Sequence, residues 1–286
     1  MISRDEVAAL VERARCGNSD ALDDLVRAIQ DRIYGLALRM LWHPEDARDA
    51  TQEILIRIIT HLSDYRGESA FTTWCYAIAA NHLRSIQRSR AEQAEYTFVS
   101  FEAELHEPSG SSDTLTTADH ALALEEVKIG CTLGMLLCLD REHRLAYILG
   151  EILELDHNEA AWIAAISPAA FRQRLARARN AIIAFTGKVC GVVDAKNPCR
   201  CKSRVGAALE RGRIRPGEPL FGESSRAAAQ HFGDVERHVR SLEGLQRAAA
   251  LYRAHPSFAA PEELLGAIKA ILRAREAPSI GSRGAE

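Results

Sequence analysis

The segment FTTWCYAIAANHLRSIQRSR, residues 71–90, gathers Phe71, Trp74 and Tyr76 within six positions of a chain that is only 6% aromatic. No acidic residue occurs between Ser69 and Ala91, and Arg84, Arg88 and Arg90 close the stretch. Rings beside cations suit single-stranded nucleic acid: bases stack on the aromatic faces, at about 1–3 kcal/mol per base, while arginines hold the backbone. The same spacing has a plainer use. Phe71, Trp74 and Ile78 fall three and four apart and would line the core face of a helix. Asn81, one turn past Ala77, is better placed for a base or backbone contact.

Three other clusters carry chemistry. In ISPAAFRQRLARARNAI, from Ile166 to Ile182, Ser167 is a helix cap and Pro168 suits the first helical position. Phe171, Leu175, Ala178 and Ile182 form an apolar stripe among arginines. A short helix precedes this one across a tight turn, which is the helix-turn-helix pattern; an ordinary charged helical hairpin is the alternative. At the leading end Ala169 and Ala170 offer methyl contacts, Arg172 and Gln173 can read base edges, and Arg174 and Arg177 can hold phosphates. Asp46, Asp49, Gln52 and Glu53 make a carboxylate and amide cluster on a helix whose other face is apolar. Cys190, Cys199 and Cys201 form C-x8-C-x-C in a basic loop. With His231 or His238 they could hold zinc or copper; free reduced thiols are the alternative.

Helices must present all of these groups. Leu22, Leu25, Val26, Ile29, Ile33, Leu36, Ala37 and Met40 step by three and four, and His43-Pro44 ends that run. Ile54, Leu55, Ile58 and Leu62 mark the next helix. No alternating strand pattern occurs, so the chain reads as all-α. Periodicity fades between Ala91 and Thr117, where Pro108 to Ser112 intervene, and this stretch reads as a flexible linker. Beyond Cys190, Val235, Val239, Leu242, Leu245, Ala249 and Tyr252 mark one amphipathic helix, and Leu264, Leu265, Ile268, Ile271 and Leu272 another. They read as a small separate extension.

The 286 residues allow two or three domains, and 47% hydrophobic content is ordinary for a soluble protein. The amino terminus is too charged for a secretory signal, no run reaches the length of a membrane span, and seven dispersed cysteines fit a reducing cytoplasm. Net charge is only −3, yet residues 91–127 hold nine acidic side chains and no lysine or arginine. Residues 160–217 hold twelve lysines and arginines against two acids. Such segregation suggests a polyanion-binding surface beside a segment that avoids or imitates a polyanion.

DARDATQEILIRI, residues 46–58, resembles the region-two signature of the extracytoplasmic-function (ECF) sigma factors of the sigma-70 family. FTTWCYAIAANHL is similar to the helix that follows it there, and DHNEAAWIAAISPAAFRQRLARARNAI resembles region four. The likeness covers about residues 20–90 and 130–187, with order and spacing in agreement. It implies region two over 1–92, an acidic linker over 93–120 that threads polymerase channels, region four over 121–188, and a regulatory extension over 189–286. It implies core RNA polymerase bound at Asp46, Asp49, Gln52 and Glu53. It also implies a core role for Phe71 and Trp74, with Tyr76, Asn81, Arg84 and Arg88 facing the minus-ten strand. Region four would read the minus-thirty-five element of promoter DNA. An anti-sigma factor is a further partner the resemblance allows; no cofactor is required and no membrane is entered. The family usually has arginine where this chain has Ala77 and Ala80, which implies weak promoter melting or melting that leans on the extension.

Two other classes compete. A stand-alone helix-turn-helix regulator would bind operators without polymerase and would have no use for the Asp46 to Glu53 cluster. An enzyme would need a site, and the chain lacks a P-loop, H-E-x-x-H, G-x-S-x-G or a dinucleotide glycine fingerprint.

Overall fold

A computed structural model describes residues 4–87, 92, 96–107, 115–216, 218–221, 232–242 and 244–276. Arg88, Arg90, His231 and the Pro108–Ser112 stretch lie outside them. The described residues are all-helical, with two isolated β-bridges and no sheet.

Helices α1 (Arg4–Arg15), α2 (Ser19–Leu41), α3 (Pro44–Thr60) and α4 (Phe71–Ser85) form the first unit. Asn18 caps α2 by accepting from the Ala21 amide, and the periodic residues from Leu25 to Met40 are buried along it. Each fully buried aliphatic side chain contributes about 1.5–3 kcal/mol. Trp42 turns the chain with a left-handed φ of 70°. His43 Nδ1 then accepts from the Glu45 amide, and Pro44, which needs no donor partner, opens α3. α3 and α4 pack on α2 and on each other.

The stretch read as a flexible linker contains a helix, α5 (Phe98–His106). Thr97 and Ser100 form a reciprocal capping box, and Phe101 is buried, stacked on Phe185 at 5.8 Å. The acidic and basic blocks also meet. Glu102 pairs with Lys188 at 2.7 Å, Glu104 with Arg211 and Arg213, and Glu107 with Arg211. Arg204 donates to the carbonyls of Glu107 and Glu104 at 2.8 and 3.1 Å. Segregated charge therefore serves, in part, to hold the chain to itself.

The second unit comprises α6 (Thr117–Leu137), α7 (Arg141–Tyr147), α8 (His157–Ile163) and α9 (Pro168–Val189). Asp140, Asp156 and Ser167 cap the last three through side-chain oxygens. α7 widens into a π-turn over Ile148–Ile152. At Gly150 an added Cβ would meet Leu175 Cδ2 at 2.7 Å, so a larger residue here would push the buried Leu175 side chain of α9 aside.

The extension supplies α10 (Cys201–Glu210), α11 (Phe232–Ser241), α12 (Gly244–Arg253) and α13 (Glu263–Glu276). The expectation of a separate appendage is not met, because one apolar core runs from Val11 to Ile268. His255 Nε2 and Thr132 Oγ1 are 2.6 Å apart in the interior, and the Ala260 amide donates to Asp31 at 2.9 Å. Arg39 lies over the Phe258 ring, 4.8 Å from its centroid, and Lys269 pairs with Asp23. α13 packs along α3 and α2. Amphipathic periodicity marks an apolar face but not its partner, and here the partner is the first unit.

Candidate nucleic-acid interface

A cleft of about 260 Å³ opens where α3 ends beside α4, lined by Arg57, His61, Asp64, Trp74, Ile78, Asn81, His82 and Ser85. Helical spacing puts Trp74, Ile78, Asn81 and Ser85 on one side of α4. Trp74 is half-buried: it stacks on Phe71 at 5.8 Å and tilts against Tyr65 at 5.5 Å, yet still lines the cleft. His82 is held neutral, since burial lowers its pKa and Arg57 adds to the effect, against an opposing contribution from Glu53. The cleft thus offers a ring, an amide, a neutral imidazole and a guanidinium, which are groups that can stack on and hydrogen-bond an unpaired base.

One aromatic assignment changes and another widens. Tyr76, expected to face DNA, is only 6% exposed, and burial pushes its phenol above the ordinary value. Its ring is an inward anchor with no face open for stacking. Trp74 packs against the core beside Phe71, as expected, and its ring also reaches the cleft. Two residues apart on a helix the side chains diverge by about 200°, so only one can share the Asn81 side. Asn81 is exposed, as expected. Arg84 is not free for phosphate: its Nη1 donates to the Ala164 carbonyl at 2.9 Å.

α9 presents its leading end openly. Ala169, Arg172, Gln173 and Arg177 are exposed, Ala170 is half-exposed, and Phe171, Leu175, Ala178 and Ile182 are buried beneath them. Arg174 is tied back to Glu142, and Arg179 to Glu151. The free edge is therefore Arg172, Gln173 and Arg177, with Ser167 and the alanines ahead of it.

On α3, Asp49 and Glu53 are exposed, while Asp46 and Gln52 are half-exposed. Asp49 pairs with Arg48 at 3.1 Å. The face they border is partly occupied, since Ile56 lies opposite the core stripe of Ala47, Ile54 and Ile58 and is nevertheless only 8% exposed. α13 packs along this helix.

The tail cysteines converge on a residue that spacing alone did not suggest, Cys131 of α6. Cys131, Cys199 and Cys201 line one apolar cavity with Trp42 and Phe101, and Cys190 bridges to Cys199 through the backbone. Burial holds all four thiols protonated, with Cys201 pushed up to about 12. Among the described residues no group of three or more His, Cys, Asp or Glu is arranged to hold a metal ion. His238 lies on α11, outside that cavity's lining.

No described helix is long and apolar enough to cross a membrane. Residues 11–93 match the family of sigma-70 region 2. Among curated relatives, the RNA polymerase sigma-H factor of Pseudomonas aeruginosa is 30% identical over 185 residues, covering 64% of this chain and 94% of that protein. The ECF RNA polymerase sigma-E factor of Escherichia coli K12 is 30% identical over 174 residues, covering 60% and 90%. The region-two match holds α2, α3, α4 and the cleft between the last two, and the relatives' near-full coverage leaves about a third of this chain to its own extension. The chain belongs to the sigma-70 family, as an RNA polymerase sigma factor of the ECF type.

Proposed function

We propose that this sigma factor engages core RNA polymerase through the Asp46, Asp49, Gln52 and Glu53 side of α3. It captures an unpaired base of the minus-ten element in the cleft at Trp74, Asn81, His82 and Arg57, and reads the minus-thirty-five duplex with the Arg172, Gln173 and Arg177 edge of α9. Catalysis belongs to the polymerase; the factor supplies position and strand separation. The juxtaposition that supports the reading most directly is the cleft beside α3 and α4, which places a half-buried ring and hydrogen-bonding groups next to the docking helix. An operator-binding regulator would need α9 but neither the cleft nor the carboxylates of α3.

Exchanging Gln52→Ala together with Glu53→Arg is expected to abolish co-purification with core polymerase while the circular dichroism of the helices stays unchanged. Retained co-purification by that double variant would reject α3 as the docking helix. An anti-sigma factor would have to compete for one of these same faces. Zinc or copper at Cys190, Cys199 and Cys201 stands as a separate proposal. It requires the buried thiols to turn and lose protons, and the metal content of the purified full chain decides it.

A further inference from the structure

The apolar cavity beside the tail cysteines belongs to none of the surfaces assigned so far. It holds about 80 Å³, room for roughly five to eight water-sized atoms. A void larger than one water is uncommon in a packed interior, and an apolar one stays dry and accepts an apolar guest. Its walls come from four parts of the chain: Trp42 at the turn after α2, Phe101 on α5, Cys131 on α6, and the extension with Cys199, Cys201 and Phe221. Three rings thus stand with three thiols, which burial keeps protonated. Trp42 gives its one donor to the Gly130 carbonyl at 3.1 Å, so it too offers the cavity only an apolar ring.

The charges on the lining are matched except at one point. Glu104 is held by Arg211 at 3.2 Å and by Arg213, which bonds both of its oxygens, one of them at 2.8 Å. Glu126, 3% exposed, accepts from the amides of Leu220 at 2.7 Å and Phe221 at 3.2 Å. Arg204 is different. It is 8% exposed, and its bonds go to the Glu107 and Glu104 carbonyls, not to any carboxylate among the described residues. Those carbonyls close the last turn of α5, where a cation is favoured, yet they occupy only two of the five guanidinium donors. Burial raises the pKa of the Cys199 thiol and the Arg204 charge opposes that rise, which puts the charge at the cavity wall. A buried cation lacking a counter-ion is costly, and a carboxylate is the group that completes it.

We propose that this cavity is a binding site for a small organic monocarboxylate. A compact apolar body, one ring or a short chain, lies among Trp42, Phe101 and Phe221, and the carboxylate meets Arg204. Each half of the guest answers a different part of the site. An uncharged guest leaves Arg204 without its counter-ion, and a bare anion leaves the rings and thiols uncovered. Arg211 is exposed and marks the side from which the cavity is reached. The occupant touches the first unit, the linker helix, the second unit and the extension together, so binding adds to the stability of their common packing. The site goes beyond the promoter and polymerase reading and stands or falls apart from it.

The probe is benzoate, titrated into the full chain by calorimetry beside benzyl alcohol, its uncharged counterpart, and acetate, the bare anion. The indole N–H resonance of Trp42, assigned by its loss in Trp42→Phe, reports whether the guest reaches the cavity. Benzoate is expected to bind saturably at about millimolar or tighter, to shift that resonance, and to bind about tenfold more tightly than either companion. Arg204→Gln is expected to weaken benzoate about tenfold while benzyl alcohol stays within about twofold. A guanidinium that only caps α5 would move the two affinities together or not at all. Absent or unsaturable benzoate binding, an unmoved Trp42 resonance, or a companion that binds as tightly as benzoate overturns the proposal. So does unchanged benzoate affinity in Arg204→Gln. Should that variant lose helicity, Ala208→Met fills the cavity and keeps the arginine; retained benzoate affinity there overturns the site, and its loss supports it.

Discussion

α4 and α9 look alike as sequence and are deployed in opposite ways. Each is a helix with arginine beside an apolar stripe, one on α4 and four on α9, yet α9 keeps Arg172, Gln173 and Arg177 in solvent, whereas α4 commits Arg84 to the Ala164 carbonyl and buries Tyr76 and Ala80. The difference is one of neighbours. α9 buries a single stripe and leaves the rest of its leading half uncovered; α4 is covered by α2 and α3 on one side and by α8 on another. A helix flanked on several sides has only a narrow strip left for a ligand, and on α4 that strip is the Trp74–Asn81 cleft.

The sharpest test of the contrast is on the open helix. Arg172→Ala with Gln173→Ala is expected to cost about 1–3 kcal/mol for each base the helix can no longer read, and to flatten sequence preference in footprinting. Unchanged preference would mean that α9 meets the groove by another edge. On the covered helix, Trp74→Ala is expected to weaken binding of a single-stranded minus-ten oligonucleotide by about 1–3 kcal/mol, the worth of one stacked base. Tyr76→Phe is expected to leave that affinity alone, since the ring is an inward anchor. Equal losses from the two substitutions, in proteins of equal stability, would restore Tyr76 as a DNA-facing residue.

A smaller effect separates the unit braced by the extension from the rest. Burial, aided by Arg39 and Lys128, holds the pKa of His255 well below its ordinary value of 6.5. Above 6.5 the imidazole is neutral folded or unfolded. Below it the unfolded chain takes up a proton that the folded chain refuses, so stability falls as pH falls, by at most about 1.4 kcal/mol per pH unit. Denaturant melts between pH 7 and pH 5 should show this slope in the parent and a shallower one in His255→Gln. Equal slopes would place the acid sensitivity elsewhere.

Much of the fold was legible where a single residue type has one physical use. Ser167-Pro168 had to open a helix, His43-Pro44 had to end one, and the stripe from Leu25 to Met40 had to be inward. The linker helix is faint in the sequence because Phe98, Phe101 and Leu105 are too few for a periodic signal, and only Thr97 and Ser100 mark its cap. The burial of Tyr76 was out of reach, because both rings suit a core and only the tertiary surroundings leave Trp74 an edge on the cleft. The same holds for the charge blocks: composition showed that Glu104 and Arg213 belong to opposite runs, not that they would meet.

The bond from the Ala260 amide to Asp31 joins residues 229 apart, and Phe258 covers the backbone beside Gly35 across a similar separation. Ribosomes add about 5–20 residues per second, so α2 leaves the exit tunnel roughly 10–45 s before the residues that cover it do. Throughout that interval the nascent chain presents α2 and α3 without their cover. The speed at which the codons up to Ala260 are read therefore sets how long a half-made factor stays uncovered.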